Sequence, residues 1–191
     1  MMTNAELDKF LCETYPKMFG ERNQPMQETC MCWGFEIGDG WSNILKVLCS
    51  QIQWHIDQSV KDNKYDIEYN DMVLDCKSGN WTKFDKLYSG TYTDEFRKNR
   101  HAELAQEEER DIREIVPQVV VGQVKEKFGS LRFYYSGGDE YINGLVSFAE
   151  GMTEVTCEEC GNPGRNSTGG WLRVRCVDHG GVAEEDEVEP Q

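Results

Sequence analysis

The sequence predicts an α+β fold, in which a small antiparallel sheet or hairpin is packed by helices and followed by a C-terminal zinc knuckle or ribbon. Three observations predict this class. Apolar residues recur at helical spacing in two stretches, 41–60 and 139–152. A strand pattern interrupted by a Gly-Ser turn lies between them. Near the C-terminus, Cys-x-x-Cys is followed after fifteen residues by Cys-x-x-His, a spacing typical of a zinc site.

The first predicted helix is short. Thr3 and Glu6 have the spacing of a capping box, which predicts a helix that runs to about Glu13. Tyr15 precedes Pro16, and a residue before proline disfavours helical geometry, so the helix ends there. Residues 20–40 have the composition of a loop.

A core helix is predicted from Trp41 to about Val60, because its apolar residues share one helical face. His55 lies at the edge of that face. We interpret it as a structural histidine rather than a catalytic one, since no nucleophile or metal ligand is spaced to meet it.

The segment 61–92 is polar, aromatic and irregular, with glycines as breakers. A highly charged helix is predicted over 93–116, ending before Pro117. Its run QEEERD at 106–111 is interpreted as a solvated face, with a surface that binds a partner as the alternative.

Residues 118–136 are predicted to form a β-hairpin with a two-residue type II′ turn at Gly129-Ser130. After it, Asp139 is the predicted N-cap of an amphipathic helix that runs to about Met152. One face of the hairpin is mainly apolar and is expected to cover the helix that begins at Trp41.

The other hairpin face is unusual because it collects cations. The predicted register pairs Lys127 with Arg132 and Lys125 with Tyr134. Two cations opposite each other destabilise a hairpin, so an anion is expected over them. It is either a carboxylate from the charged helix or a phosphate-bearing ligand, for which Tyr134 would be a stacking platform.

The C-terminal segment carries the most specific chemical pattern. Cys157 and Cys160 form the first ligand pair, and Cys176 and His179 form the second. Four protein ligands complete a tetrahedron around Zn²⁺ and leave no position for water, so we predict a structural zinc ion. Catalytic zinc, no metal, and a disulfide are the alternatives.

Five further cysteines lie outside this pattern. We interpret them as small buried side chains or inert thiols, with a second metal site as the weaker alternative. They are Cys12, Cys30, Cys32, Cys49 and Cys76.

The predicted organisation has three parts. Residues 1–153 form the α+β core with a charged insert at about 61–116, residues 154–180 bind zinc, and residues 181–191 form a disordered acidic tail. A chain of 191 residues is one domain, or one domain with a zinc appendage.

Composition limits the partners and the location. The formal net charge is −15, so phosphate repulsion argues against a nucleic-acid partner. The N-terminus has no cationic region followed by an apolar run, and no stretch approaches the roughly 20 apolar residues of a membrane span. We therefore expect a cytoplasmic protein with reduced cysteines and no membrane contact.

Three stretches together resemble an uncharacterised family of small proteins associated with bacteriophage and prophage genomes. They cover roughly a third of the chain and are GDGWSNILKVLC at 38–49, VKEKFGSLRFYYSGGDEYINGLVSFAE at 124–150, and CEECG…GGW…CVDH in the zinc segment. The shared order is a Gly-Trp helix, a KFG hairpin, an amphipathic helix and a metal knuckle. The resemblance implies a phage-type context, in the cytoplasm of a host cell, and carries over no catalytic residue.

The chain contains no dinucleotide, P-loop, metalloprotease or serine-hydrolase signature, so no enzyme is expected. The leading hypothesis is a non-enzymatic phage-type accessory protein that binds and inhibits a host defence factor through the acidic helix and tail. The alternative is a protein that binds and sequesters a phosphate-bearing nucleotide signal. Its ligand residues would be Lys125, Lys127, Arg132 and Tyr134.

Overall fold

A computed structural model of the protein describes residues 2–88, 93–167 and 170–181. The helices are α1 (Asn4–Thr14), α2 (Ser42–Lys77), α3 (Thr82–Tyr88), α4 (Asp94–Leu104) and α5 (Glu140–Thr153). The strands are β1 (Phe35–Glu36), β2 (Val120–Lys127), β3 (Ser130–Ser136), β4 (Arg165–Asn166) and β5 (Val174–Arg175). These helices and two small sheets confirm the predicted α+β class. The predicted acidic tail, apart from Gly181, lies outside the described residues.

The chain forms two compact units, and each is described by itself. The first comprises residues up to Ile56 together with those from Val116 onward, and it includes the C-terminal cysteines. The second comprises Asp57–Ile115. Helix α2 begins in the first unit and ends in the second.

The first unit has a core made by α1, the start of α2, α5 and a three-stranded sheet. Helix α1 begins as predicted, because the Thr3 side chain accepts from the Glu6 N–H and the Glu6 side chain accepts from the Thr3 N–H. Trp41 is completely buried at the turn that leads into α2. Its burial anchors this turn in the core.

The sheet has the strand order β1-β2-β3, with β1 parallel to β2 and β2 antiparallel to β3. The turn between β2 and β3 has Phe128 (φ 58) and Gly129 (φ 79) at its centre. The predicted Gly129-Ser130 turn is therefore wrong. Two positive φ values define a type I′ turn, whose twist matches that of the strands and which favours glycine at its second central position.

The shifted turn changes the pairs across the hairpin. Lys125 pairs with Arg132 and Lys127 with Ser130, in place of the predicted pairs. Because the partner moves by two residues, Lys125, Lys127 and Arg132 stay on their predicted face, whereas Phe128 leaves the predicted apolar face for the turn. The sheet therefore retains a cationic face, with Lys125 and Arg132 as its directly opposed cations.

Helix α2 is longer than predicted, since it continues past Val60 to Lys77. The prediction of an irregular segment 61–92 is wrong for this part and for α3. The missed signal is a set of buried side chains at helical spacing, which pack with Phe84 and Leu104 in a second core. Within α2 this set is Tyr69, Met72, Val73 and Cys76.

The predicted charged helix 93–116 is also wrong in extent, because α4 ends at Leu104. Side chains of α2 bind the backbone that follows. The Asn70 amide donates to the Arg110 carbonyl (2.8 Å) and accepts from the Arg110 N–H (2.9 Å), and Asn63 donates to the Arg113 carbonyl (2.6 Å). These bonds replace the intrahelical bonds that a longer α4 would make.

None of the helices in the described part of the chain combines the length and apolar character needed to cross a membrane.

Candidate functional site

The four predicted metal ligands form one cluster at the C-terminus of the first unit. Their ligand atoms all lie within 4.8 Å of one another. Cys160 Sγ is 3.6 Å from Cys176 Sγ, and His179 Nδ1 is 3.6 Å from Cys157 Sγ and 3.2 Å from Cys176 Sγ. Thiolates at about 2.3 Å from one tetrahedral ion would be about 3.8 Å apart, so the donor set fits a tetrahedral metal site.

Two turns place these ligands. The Gly161 N–H donates to the Cys157 carbonyl (2.8 Å), and Gly161 has φ 75, which closes the Cys-x-x-Cys turn with a residue that tolerates a left-handed backbone. Cys176 follows β5 directly, and a 3₁₀ turn over Val177–His179 brings the imidazole back beside it. Gly180 then ends the turn with a left-handed conformation.

The environment of Cys157 favours a thiolate. Burial raises its pKa, but hydrogen bonds from the backbone N–H groups of Cys176, Cys160 and Glu159 stabilise the anion and lower the pKa to about 6. A thiolate rather than a thiol is the form that binds metal. The first cysteine of the cluster is therefore prepared for metal binding by its own backbone surroundings.

The metal cluster is joined to the core through the turn that precedes α2. The Gly40 N–H donates to the Glu158 carbonyl (2.7 Å), and the Trp41 indole N–H donates to the Thr156 carbonyl (2.8 Å). A Cβ added at Gly40 would lie 2.2 Å from the Cys157 carbonyl oxygen, so only glycine permits this approach.

Glu158 and Arg175 support the same junction. One Glu158 carboxylate oxygen accepts from the Gly38 N–H (3.0 Å), and the other lies 3.2 Å from the Arg175 guanidinium. Burial raises the pKa of Glu158, although Arg175 favours its charged form. The Arg175 guanidinium also contacts Glu159 at 2.8 Å, which ties β5 to the Cys-x-x-Cys turn.

Comparisons with protein-family models, curated proteins and solved structures found no match.

The cationic hairpin face lies in the same unit as the metal cluster. Lys125 Nζ is 5.5 Å from the centre of the Tyr134 ring. The Arg132 guanidinium donates to its own strand, at the Ser130 hydroxyl (2.5 Å) and the Leu131 carbonyl (2.7 Å). The Arg132 guanidinium thus already makes two hydrogen bonds, whereas neither Lys125 nor Lys127 has an ion pair within the described residues.

A cleft of about 470 Å³ lies between this face and the segment that connects β4 to β5. Lys125 and Lys127 line it, whereas Arg132 and Tyr134 do not. Its other side chains were not predicted, and they complete the lining together with the backbone at Gly170. They are Glu126, Phe128, Trp171 and Leu172.

The aromatic residues of the cleft are unusually exposed. Phe128 is 67% exposed at the tip of the hairpin, and Trp171 is 71% exposed. The two elements meet at Gly129, where an added Cβ would lie 2.8 Å from the side-chain oxygen of Asn166 in β4. The sequence signal for Trp171 was its position after two glycines inside the metal segment, but spacing alone did not connect it to the hairpin.

Glu126 is the acidic residue in the cleft lining, and its carboxylate already accepts a hydrogen bond from the backbone. Its Oε1 accepts from the Gly129 N–H at 2.6 Å, which fixes the turn that presents Phe128. The acid therefore shapes the cleft, and the two lysines supply its cationic charge.

His55 also has a structural partner. Its Nε2 lies 2.8 Å from Asp139 Oδ2, while Asp139 Oδ1 accepts from the Ile142 N–H and caps α5. The Tyr141 ring packs on the imidazole with a centroid distance of 4.4 Å. This arrangement fits the structural interpretation of His55.

The remaining cysteines do not join a second metal cluster within the described residues. Cys49 and Cys76 are buried, as small hydrophobic side chains would be. Burial raises the pKa of Cys12 to about 12, so its thiol stays protonated. Cys30 is exposed.

In the second unit, the arginines of the segment after α4 contact α2, whereas most of its carboxylates are exposed. The Arg113 guanidinium binds Asp66 through Nε (2.7 Å) and Nη2 (2.8 Å), and the Arg110 guanidinium lies 3.6 Å above the Tyr69 ring. The acidic side chains of the segment are largely exposed. The exposed ones are Glu108, Glu109, Asp111 and Glu114.

Proposed function

We propose that this chain is a non-enzymatic, zinc-stabilised binding protein whose cleft holds a ligand with a phosphate group and a planar ring, as nucleotides have. One observation carries the proposal: Lys125, Lys127, Phe128 and Trp171 surround a single cleft. Small-molecule sites have volumes of about 300–1,000 Å³. The cleft volume of about 470 Å³ falls in that range.

The lining suits the two halves of such a ligand. Lysine ammonium groups bind phosphate oxygens as point charges, and Lys125 and Lys127 are alternate residues on one face of β2. An aromatic side chain stacks on any nucleobase and contributes about 1–3 kcal/mol per base. Phe128 and Trp171 provide such rings at the same cleft. The net charge of −15 disfavours long nucleic acids, which leaves a small phosphate ligand as the better fit.

We propose zinc as the metal because three thiolates and one imidazole form a soft tetrahedral donor set. Four protein ligands leave no open position, so the ion would have a structural role. Metal thiolates persist in a reducing compartment, which supports a cytoplasmic location.

The test is calorimetry of zinc-loaded protein with AMP, GMP, cyclic AMP, cyclic GMP and a cyclic dinucleotide. We expect at least one to bind, and the Lys127→Glu variant to bind it at least tenfold more weakly, about 1.4 kcal/mol. Lys9→Glu is the matched control, because Lys9 is an exposed lysine of the same unit paired only loosely with Glu13 (4.0 Å). If no nucleotide of the panel binds, or if the Lys127→Glu variant binds the nucleotide with the affinity of the natural sequence, the proposal is contradicted.

A second candidate function has support in the second unit. We propose that the exposed carboxylates of 108–114 form an acidic surface that binds and inhibits a basic host factor, as a phage-type accessory protein would. The supporting observation is that Arg110 and Arg113 contact α2 and Glu107, so that none of these four exposed carboxylates has an ion pair within the described residues.

Binding of basic host defence proteins at low and high salt would test this second function. Screening at about 8 Å in 0.15 M salt predicts strong weakening as salt rises. A Glu108→Lys/Glu109→Lys variant should lose binding, and Glu13→Lys, which reverses an exposed carboxylate on α1, should retain it. Binding that is insensitive to salt would argue against an acidic interface.

A further inference from the structure

We propose that the metal ion builds one wall of the cleft, so that metal binding and nucleotide binding strengthen each other. This inference rests on the proposed nucleotide-binding function and adds its regulation. Only the metal-loaded chain would hold the complete site.

The two walls of the cleft belong to differently stabilised elements. Lys125, Lys127 and Phe128 lie on β2 and the turn after it. Trp171 and Leu172 lie between β4 and β5, within the fifteen residues that separate Cys160 from Cys176. The second wall therefore sits in a loop whose two ends are both metal ligands.

Apart from the metal, the wall that carries Trp171 is held by contacts within the metal-binding segment itself. Arg175 pairs with Glu158 and Glu159, and the Glu158 N–H donates to the Val174 carbonyl (3.1 Å). Strands β4 and β5 contain two residues each, and of these only Val174 is buried. The Ser167 N–H donates to the Arg173 carbonyl (2.9 Å), and the Ser167 hydroxyl donates to the Trp171 carbonyl (3.0 Å). An isolated ribbon of this size is not stable in water, and metal-binding segments of this kind fold as they bind the ion.

The hairpin wall does not depend on the metal. Val124, Leu131 and Phe133 are buried in the main core, and β2 and β3 are paired from Lys127–Ser130 to Val120–Ser136. Loss of the metal should therefore leave the two lysines and Phe128 in position while Trp171 and Leu172 leave the cleft. A nucleotide would then keep its phosphate contacts and lose its second ring contact.

Thermodynamic reciprocity makes this coupling measurable from the metal side. A ligand that binds only the metal-loaded form raises the apparent metal affinity by a factor of about 100 when it is present at 100 times its dissociation constant. Residual nucleotide binding by the lysines in the metal-free chain would reduce this factor. We therefore expect the apparent metal affinity to rise at least tenfold.

The experiment is competition for Zn²⁺ between the full chain and a chromophoric chelator, with and without cyclic AMP or whichever nucleotide of the panel binds most tightly. Cyclic AMP is a suitable probe because its single phosphodiester charge competes poorly for Zn²⁺. The apparent zinc dissociation constant of the natural sequence should fall at least tenfold when the nucleotide is present at 100 times its own dissociation constant.

Two tryptophan variants separate the coupling from general stability. Trp171→Ala should bind zinc as tightly as the natural sequence without nucleotide, because Trp171 is exposed and is not one of the four residues of the metal cluster. It should lose the shift that the nucleotide causes. Trp54→Ala removes another exposed tryptophan of the first unit, which lies on α2 outside the cleft lining, and it should keep the shift.

The outcomes distinguish the two proposals. If the nucleotide binds zinc-loaded protein but leaves zinc affinity unchanged, or if Trp171→Ala keeps the full shift, the coupling is overturned and the proposed function stands. If no nucleotide of the panel binds zinc-loaded protein, both are overturned.

Discussion

Replacement of Gly40 by alanine tests how the metal cluster is joined to the core. The added Cβ would lie 2.2 Å from the Cys157 carbonyl oxygen, 2.6 Å from the Gly161 nitrogen and 2.7 Å from the Glu158 carbonyl oxygen. All three are backbone atoms, so no side chain can rotate away to make room. The Cys-x-x-Cys turn and the turn before α2 must separate.

The magnitude follows from what that separation disturbs. Overpacking of a tight contact costs about 1–3 kcal/mol. The bonds from the Gly40 N–H to Glu158 (2.7 Å) and from the Trp41 indole to Thr156 (2.8 Å) would also weaken. Each such bond contributes about 0.5–1.5 kcal/mol. We therefore expect Gly40→Ala to destabilise the first unit by about 2–6 kcal/mol.

Urea unfolding of zinc-loaded protein, together with the rate of zinc release to a chelator, would measure this effect. Gly144→Ala is the matched control, because a Cβ at Gly144 in α5 meets nothing within 4 Å. Alanine is the better helix former by about 0.5–1 kcal/mol, so this control should be neutral or stabilising. A Gly40→Ala protein with an unchanged urea midpoint and unchanged zinc release would show that this close contact does not join the metal cluster to the core.

Three further predictions concern the metal cluster and the second unit. Cys157→Ser should lose zinc and melt at a lower temperature, whereas Cys30→Ser, at an exposed thiol outside the cluster, should change neither in metal analysis and calorimetry. The Arg113 side chain lowers the pKa of Asp66 to about 2 from 3.8, so stability of the second unit should be present above about pH 4 and be lost as pH falls to about 2. In urea unfolding as a function of pH, Asp66→Asn should flatten that dependence, and an unaltered acid profile would count against the pair. Asn70→Ala should cost about 1–3 kcal/mol by leaving the Arg110 backbone without its partners, and limited proteolysis should cut first within 105–115.

Features set by local chemistry were predictable from the sequence. The Cys-x-x-Cys and Cys-x-x-His pairs identify the metal cluster because ligand spacing is itself the constraint on binding. The capping box of Thr3 and Glu6 is equally local, since its bonds close within one helical turn.

The turn of the hairpin shows where local signals become ambiguous. Glycine at position 129 fits either the first centre of a type II′ turn or the second centre of a type I′ turn. The hydrogen bond from Gly129 to Glu126 and the twist of the paired strands favour the second arrangement. Neither factor is visible as a residue pattern, so the predicted pairs were wrong and Phe128 was placed on the wrong face, while the face of Lys125, Lys127 and Arg132 was right.

Features that depend on distant partners could not be predicted. The second half of α2 looks polar until Phe84 and Leu104 supply the other side of its core. Similarly, α4 ends early because Asn70 binds the backbone at Arg110, forty positions later. The place of Trp171 in the cleft depends on contact between two elements far apart in sequence.

Native mass spectrometry of protein purified from bacteria without chelator tests zinc binding and nucleotide binding together, because it weighs the intact complex. We expect one zinc ion, together with a small nucleotide that is missing from Lys127→Glu protein and present in Lys9→Glu protein. A zinc-bound chain that carries a host polypeptide and no small ligand would instead favour the acidic surface. A chain that carries neither zinc nor ligand would contradict both the structural zinc ion and the proposed nucleotide site.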